Sequence, residues 1–388
     1  MQRLRVAPRK NWQAEAERLG FAYHTLDGET YWDESVAYAF SLKEIEEDIE
    51  APTSEIEGLC FAFVERALKD EDILRRLAIP DAQWGLIRDS WQRGDRNLYG
   101  RLDLAYDGKG PAKLLEYNAD TPTSLFEAAV VQWDWLEQAM AQGLISRGCD
   151  QFNSLHERLI AAFGQLRNPK PERMHFTCVQ DSVEDKGTVD YLIDCAGQAG
   201  IDARFTFIEE LGLLADGRFC DGASLPVEML FKLYPWEWLF REQYASALAG
   251  SRCQFVEPPW KALVSSTGLL PQLWEMAPGH PNLLPAYFED DPRCAELGAN
   301  HVRKPLYSRE GANVTLVEGG EVRDSDDGPY GAEGFILQAT AILPNFDGNY
   351  PVLGSWLVAS QPCGLGIRED TTPITKNTSR FVPHVIEP

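Results

Sequence analysis

The stretch from Tyr99 to Ser124 constrains this chain more than any other. Asp107-Gly108-Lys109-Gly110 reads as the turn of a hairpin, because glycine accepts the positive φ that a tight turn requires. The flanking segments, Tyr99-Gly-Arg-Leu-Asp and Leu115-Glu-Tyr-Asn, then read as two antiparallel strands. Side chains two apart on a strand share a face. Arg101 and Asp103 therefore face one way on the first strand, and Glu116 and Asn118 share a face on the second. Folding the hairpin gathers Asp103, Glu116 and Asn118, with Arg101 beside them. Three oxygen ligands next to a guanidinium suit Mg²⁺ holding phosphates. A solvated hairpin with a surface ion pair is the alternative reading.

A chain of 388 residues is long enough for two or three lobes around a large core. No apolar run reaches the ~18 residues of a membrane span. Met1 to Lys10 lacks the apolar centre of a signal peptide, so a cytoplasmic location is expected. The net charge of −24 sets nucleic acid aside as a partner, since phosphodiester binding needs clustered lysine and arginine. An acidic field draws cations instead, amines and Mg²⁺ among them. The eight cysteines are scattered without a Cys-x-x-Cys pair, which fits reduced, structural thiols rather than zinc or a disulfide framework.

The first hundred residues read as mainly helical: 12–19, 41–49 behind a Ser-x-x-Glu capping box, a long helix over 53–74, and 80–92. A helix over 125–141 follows Thr121-Pro-Thr-Ser, with Thr123 or Ser124 as its cap and its amides open to an anion. Strand 173–180, loop 181–186, helix 187–200 and strand 203–207 form a parallel βαβ unit. Glu184 and Asp185 lie beyond the carboxyl end of its first strand, where ligands bind. They hold a cationic amine or simply complement the helix dipole. Val227 to Tyr234 is an apolar strand, Gln254 to Trp260 a rigid connector, and Gly268 to Met276 a helix. In the last third, strand 302–306, loop 307–313 and returning strand 314–317 resemble a flap over phosphates with Lys304 at its base. A generic hairpin with a lysine is the alternative. Strands 335–338, 350–358 and 364–370 follow, and Arg368 comes after a run of small residues that allows close backbone approach.

Read together, several words of this sequence resemble the glutathionylspermidine synthase-like family of ATP-grasp ligases, in the short form without the amidase half. They are Gly100-Arg-Leu-Asp103, Leu115-Glu-Tyr-Asn-Ala-Asp120, Asp181-Ser-Val-Glu-Asp-Lys186, Val302-Arg-Lys-Pro305, Ser308-Arg-Glu-Gly-Ala-Asn313, Tyr350-Pro-Val-Leu-Gly-Ser-Trp356 and Gly366-Ile-Arg-Glu-Asp370. The resemblance covers nearly the whole chain. It implies an α/β ATP-grasp fold with a helical preATP-grasp N-terminal lobe and an antiparallel lid lobe. The approximate lobes are 1–170 with the metal hairpin, 171–260 with the βαβ unit, and 261–388 with the lid and closing strands.

The family implies an ATP-dependent ligase that joins a carboxylate to an amine through an acyl-phosphate, with ATP and Mg²⁺ as cofactors. Glutathione and spermidine are its reference substrates. By the same resemblance Asp103, Glu116 and Asn118 match the metal ligands, and Arg101 matches the arginine that steadies the transferring phosphate. Thr121 falls where the family meets the acid substrate, and Glu184 and Asp185 where it handles the amine. Lys304, Glu310, Gly311 and the run Gln338, Ala339, Thr340, Ala341 match the nucleotide pocket. Arg368 matches the late active-site arginine. Without the amidase half, no hydrolysis of the product is expected. One position departs from the pattern: Thr267 stands where the family carries a lysine of the nucleotide site. Lys261 is six positions earlier and would not share its helical face. A catalytically weakened binding protein on the same fold is therefore the rival reading.

Overall fold

The hairpin forms the last two strands, at one edge, of a five-stranded antiparallel sheet. In the computed structural model the spatial order is Arg380–Val382, Gln361–Asp370, Tyr350–Val358, Tyr99–Ala105, Lys113–Asn118. The structure describes every residue except Asp27, Asn168, Glu310, Asn377 and Thr378. Because Tyr99–Ala105 lies inside this central sheet, all seven of its residues are buried. The turn closes as its residues dictate: the Asp107 carboxylate accepts from the amides of Lys109 and Gly110, and Gly108 sits at φ +76°. Tyr99 stacks on Trp356 across the sheet with ring centroids 6.2 Å apart.

Among the described residues three larger sheets and two two-stranded ribbons, Thr25–Leu26 with Glu29–Thr30 and Gly212–Leu213 with Phe219–Cys220, accompany it. Gln2–Arg5, Val36–Phe40 and His384–Ile386 form a small mixed sheet that ties both ends of the chain together. A parallel sheet runs in the order Gln254–Val256, Met229–Lys232, Arg173–Thr177, Asp202–Phe205, with helix Val183–Gln198 crossing between its last two strands. The segment expected as a rigid connector therefore supplies an edge strand. Its buried pair Phe255 and Val256 is too short a run to stand out before two prolines. The lid is a five-stranded antiparallel sheet, ordered Ala286–Phe288, Phe335–Ala339, His301–Pro305, Thr315–Glu318, Glu321–Ser325.

One expected helix agrees at its start and another is broken in two. The capping box forms: Ser41 Oγ accepts from the Glu44 amide at 3.2 Å and the Glu44 carboxylate accepts from the Ser41 amide at 2.8 Å. The helix expected over 53–74 is instead two, Ala51–Ala67 and Glu71–Arg76. Asp70 causes the break, since its side chain accepts from the Asp72 amide at 3.0 Å and starts the second helix as its cap. All eight cysteines are free thiols. Among the described residues no helix is long and apolar enough to cross a membrane.

Candidate active site

The central sheet, the lid and the 119–123 segment enclose a cavity of about 430 Å³. Arg101, Asp103, Glu116, Asn118, Thr121, Thr267, Lys304, Gly311, Arg368 and the run from Gln338 to Ala341 all line it. Glu310 lies outside the described residues.

Strand register assembles the centre of this cavity. Arg101 pairs across from Asn118, and Asp103 across from Glu116. The Asn118 amide donates to Glu116 Oε1 at 3.0 Å and to Asp103 Oδ2 at 3.2 Å, so both carboxylates converge on one side chain. Arg101 grips Asp103 at two points, 2.6 Å from Nε to Oδ1 and 3.1 Å from Nη2 to Oδ2. Its Nη1 donates to the Thr123 carbonyl at 2.8 Å. Arg368 reaches Asp103 Oδ2 from the neighbouring strands at 2.7 Å. Gly354 makes room for this clamp, because a Cβ there would stand 2.7 Å from Arg101 Cδ.

The charges respond to one another. Burial pushes Asp103 up, but the guanidinium groups of Arg101 and Arg368 outweigh it and hold its carboxyl below the ordinary value. Burial and then the charge of Asp103 push Glu116 up, with Lys304 pulling the other way. Burial lowers Lys304 despite the attraction of Glu116 and Asp103.

The lid meets the hairpin along an exposed sheet edge. Lys304 donates to the Leu115 carbonyl at 2.8 Å, and Gln338 donates to the Leu114 carbonyl at 3.1 Å. Two side chains expected at the nucleotide therefore also cap strand Lys113–Asn118, which among the described residues has no further strand on that side. Gly311 closes the loop against the tail at φ +76°; a Cβ there would stand 2.6 Å from the Thr375 carbonyl oxygen.

The residue in place of the family's lysine faces the same cavity. Thr267 donates its hydroxyl to the Pro305 carbonyl at 2.7 Å. Lys261 does not replace that lysine. It is fully buried and donates to the carbonyls of Tyr99 and Ala119 at 2.8 and 2.9 Å, with the Glu257 carboxylate 3.2 Å away.

The residues present fit a divalent cation and a polyphosphate. Two acids offer hard oxygen donors, and the Asn118 amide, whose NH2 here faces both, would present its oxygen after a 180° rotation. Among the described residues no group of three His, Cys, Asp or Glu is arranged to hold a metal, and this set of two acids and an amide leaves positions for phosphate oxygens. Thr340 Oγ1 and Arg309 Nε, in two of the residues that line the cavity, are buried with no hydrogen-bond partner.

Glu184 and Asp185 are not part of the cavity lining. They occupy the first turn of helix Val183–Gln198, which starts four residues earlier than expected because Ser182 caps it, accepting from the Asp185 amide at 3.1 Å. Their charges bear on Tyr23, and that of Glu184 also on Tyr31 and Glu127. The expected side-chain cap of the 125 helix is also corrected. Ser124 turns its hydroxyl to Tyr31 at 3.1 Å, and its carbonyl accepts from the Ala128 amide at 3.2 Å.

Sequence reasoning missed Arg309, although it stands inside a quoted motif. Its Nη2 donates to Thr121 Oγ1 at 2.7 Å and its guanidinium lies 5.0 Å from the Trp238 ring centre. It also missed the buried ion pair of Lys232 with Asp120 at 2.6 Å, which fixes the chain just before Thr121. Asp120 Oδ2 accepts in addition from the Trp236 amide at 2.8 Å.

The family model described as "Glutathionylspermidine synthase preATP-grasp" matches residues 3–387. A Haemophilus influenzae protein, named provisionally as an acid–amine ligase, is 43% identical over 382 residues, 95% of each chain. Trypanothione synthetase of Crithidia fasciculata is 28% identical over 81% of this chain and 51% of its own length. The bifunctional glutathionylspermidine synthetase/amidase of Escherichia coli is 26% identical over 97% of this chain and 63% of its own. The chain thus spans nearly the whole of the first relative and only part of the other two. A glutathione synthetase-like effector of Globodera pallida shares the fold, with a TM-score of 0.55 at 11% identity over 97% of this chain and 96% of that one.

Proposed function

The chain belongs to the glutathionylspermidine synthase preATP-grasp family, and from that premise we propose that it is an ATP-dependent ligase that joins a peptide-like carboxylic acid to an amine. The observation that carries this reading is the single cavity in which the Asp103–Glu116–Asn118 group, the lid residues Lys304 and Gln338, and Arg368 meet.

In this reading the acid's carboxylate takes the γ-phosphoryl group of ATP, and the amine then displaces phosphate from the acyl-phosphate to leave an amide, ADP and phosphate. Asp103, Glu116 and Asn118 would hold Mg²⁺, which supplies charge neutralisation for the phosphates when bound. Arg101 and Arg368 stabilise the negative charge on the transferred group. Both are held on Asp103 in this structure, so the carboxylate and the guanidiniums neutralise each other there. Lys304, Gly311 and the run Gln338, Ala339, Thr340 and Ala341 shape the nucleotide end, a role that the sequence resemblance extends to Glu310. Thr121, held by Arg309, meets the acid. Glu184 and Asp185 draw the cationic amine. Glutathione and spermidine are the first substrates to try, and a cytoplasmic setting belongs to the same reading.

The test is a screen of acids and amines with Mg²⁺ and ATP, read by ADP release and then by product mass. Release that depends on both an acid and an amine, with a product lighter by one water than their sum, is the expected result. No release with any pair, and no thermal shift with a non-hydrolysable ATP analogue, would return the chain to a binding protein weakened at Thr267.

A further inference from the structure

Behind the Thr121–Thr123 wall lies a group of acids and phenols with a built-in acceptor. Glu127, at the start of the helix that follows Ser124, is fully buried. Its Oε1 accepts from the Tyr31 hydroxyl at 2.7 Å, and that hydroxyl lies 3.1 Å from Ser124 Oγ. Thr123, the residue before Ser124, lines the cavity. Two hydroxyls thus lead from Ser124, the residue next to that wall, inward to a carboxylate. Glu127 Oε2 and the Tyr23 hydroxyl are both buried and have no hydrogen-bond partner.

The groups facing Glu127 come from three directions. Tyr31 and Tyr23 lie on the 21–32 segment, Glu184 on the first turn of helix Val183–Gln198 beside Asp185, whose charge bears on Tyr23, and Arg101 on the central sheet. Gly187 lets Tyr23 close on that helix, since a Cβ there would stand 2.9 Å from the ring. Arg101 is itself bound to Asp103. Burial, and then the charge of Glu184, push Glu127 up to about 8. A carboxylate with one oxygen unserved is poorly stabilised as an anion and correspondingly basic.

We propose that Glu127 is the terminal acceptor for the proton that the attacking ammonium must shed, reached through the hydroxyls of Ser124 and Tyr31. This deepens the ligase reading above and rests on it. An ammonium has no lone pair and cannot attack the acyl-phosphate. Its N–H proton passes to Ser124 Oγ, which passes its own to Tyr31, and Tyr31 passes its own to Glu127 Oε1. The freed lone pair of the neutral amine forms the C–N bond, the C–O bond to phosphate breaks, and phosphate leaves with that electron pair. The protonated Glu127 then donates back to Tyr31, so the chain stays hydrogen-bonded until solvent takes the proton. Glu127 acts through Tyr31 and is a positioning residue in that sense.

Hydroxylamine separates this role from a structural one, because it is uncharged at neutral pH and attacks acyl-phosphates without losing a proton first. In the full-length protein, Glu127→Gln is expected to lower amide formation with spermidine about a hundredfold at pH 7. The loss shrinks as pH rises toward the amine's own ionisation, while hydroxamate formation with hydroxylamine stays within about twofold of wild type. Should Glu127→Gln fail to fold, Tyr31→Phe, which cuts the same chain, is required to give the same split. Equal loss of amide and hydroxamate, or no loss of either, overturns the assignment of Glu127. If the wild-type protein yields neither ADP nor hydroxamate, the ligase reading itself falls, and the proton role falls with it.

Discussion

Thr267 gives its hydroxyl to the carbonyl of Pro305 at 2.7 Å, one residue beyond Lys304. The hydroxyl thus joins the 265–267 turn to the base of the lid strand at a place where the family has a cation. Thr267→Lys adds a charge to a cavity wall already carrying Lys304 and Arg368. A charged hydrogen bond to phosphate contributes about 1.5–3 kcal/mol, so KM for ATP is expected to fall about tenfold or more. Titration of ADP release against ATP measures it, and an unchanged KM would mean that phosphate is already fully neutralised by the existing cations.

Glu116 and Asp103 are neighbours with different expected phenotypes. Glu116 is pushed up by burial and by Asp103, so Glu116→Gln removes a repulsion and leaves folding intact. Its turnover is expected to fall about a thousandfold if it holds metal. Asp103→Ala leaves Arg101 and Arg368 without their shared counter-charge, which typically costs about 3–5 kcal/mol. Denaturant unfolding beside turnover distinguishes the two. Full turnover in Glu116→Gln would remove it from the metal set.

Gly354 offers a test of placement without a change of charge. Its strand partner is Asp103, and an added Cβ meets Arg101 Cδ at 2.7 Å. Gly354→Ala is expected to move the guanidinium by a few tenths of an ångström or more and to lower kcat about tenfold to a hundredfold. KM for ATP should change less than kcat, and steady-state kinetics report both.

Acid sensitivity is expected from His384. It is fully buried, its Nε2 accepts from the Phe152 amide at 3.1 Å and its Nδ1 faces Gln132 Oε1 at 2.9 Å. Burial lowers its pKa to about 3. The unfolded chain therefore binds a proton that the folded chain refuses, and stability falls as pH drops from the ordinary histidine range toward 3. The slope from this residue alone approaches about 1.4 kcal/mol per pH unit. Glu127 and Glu257, raised to about 8 and about 7, act in the opposite sense, since their protonation favours the folded state as pH falls through those values. Comparing denaturant midpoints of wild type and His384→Asn from pH 6.5 to 4 isolates the histidine. The variant should be less stable at pH 6.5, and its deficit relative to wild type should shrink as pH falls toward 4.

The hairpin and its register were legible because they depend on nearest neighbours: an Asp-Gly turn and a two-residue alternation suffice. Arg368 and Lys304 were legible through family words, although nothing local brings residue 368 to residue 103. What the sequence hid were contacts that need two distant segments at once. Lys232 and Asp120 each look like ordinary surface charges until the parallel sheet is laid against the 119–123 segment. Glu127 looked like one more polar position in a helix, and only Tyr31, from the far end of the first hundred residues, gives it a partner. The break at Asp70 was hidden for another reason. Apolar spacing continues through it, and the capping bond of one carboxylate outweighs the pattern.

The central sheet interleaves distant parts of the chain: strands from residues 99–118 lie beside strands from residues 350–382. During synthesis the inner face of the hairpin therefore waits, unpartnered, while more than two hundred intervening residues are made. The pocket does not come into being gradually. It is completed when the late strands emerge from the ribosome and dock, and a nascent chain stalled before them carries Asp103 without Arg368.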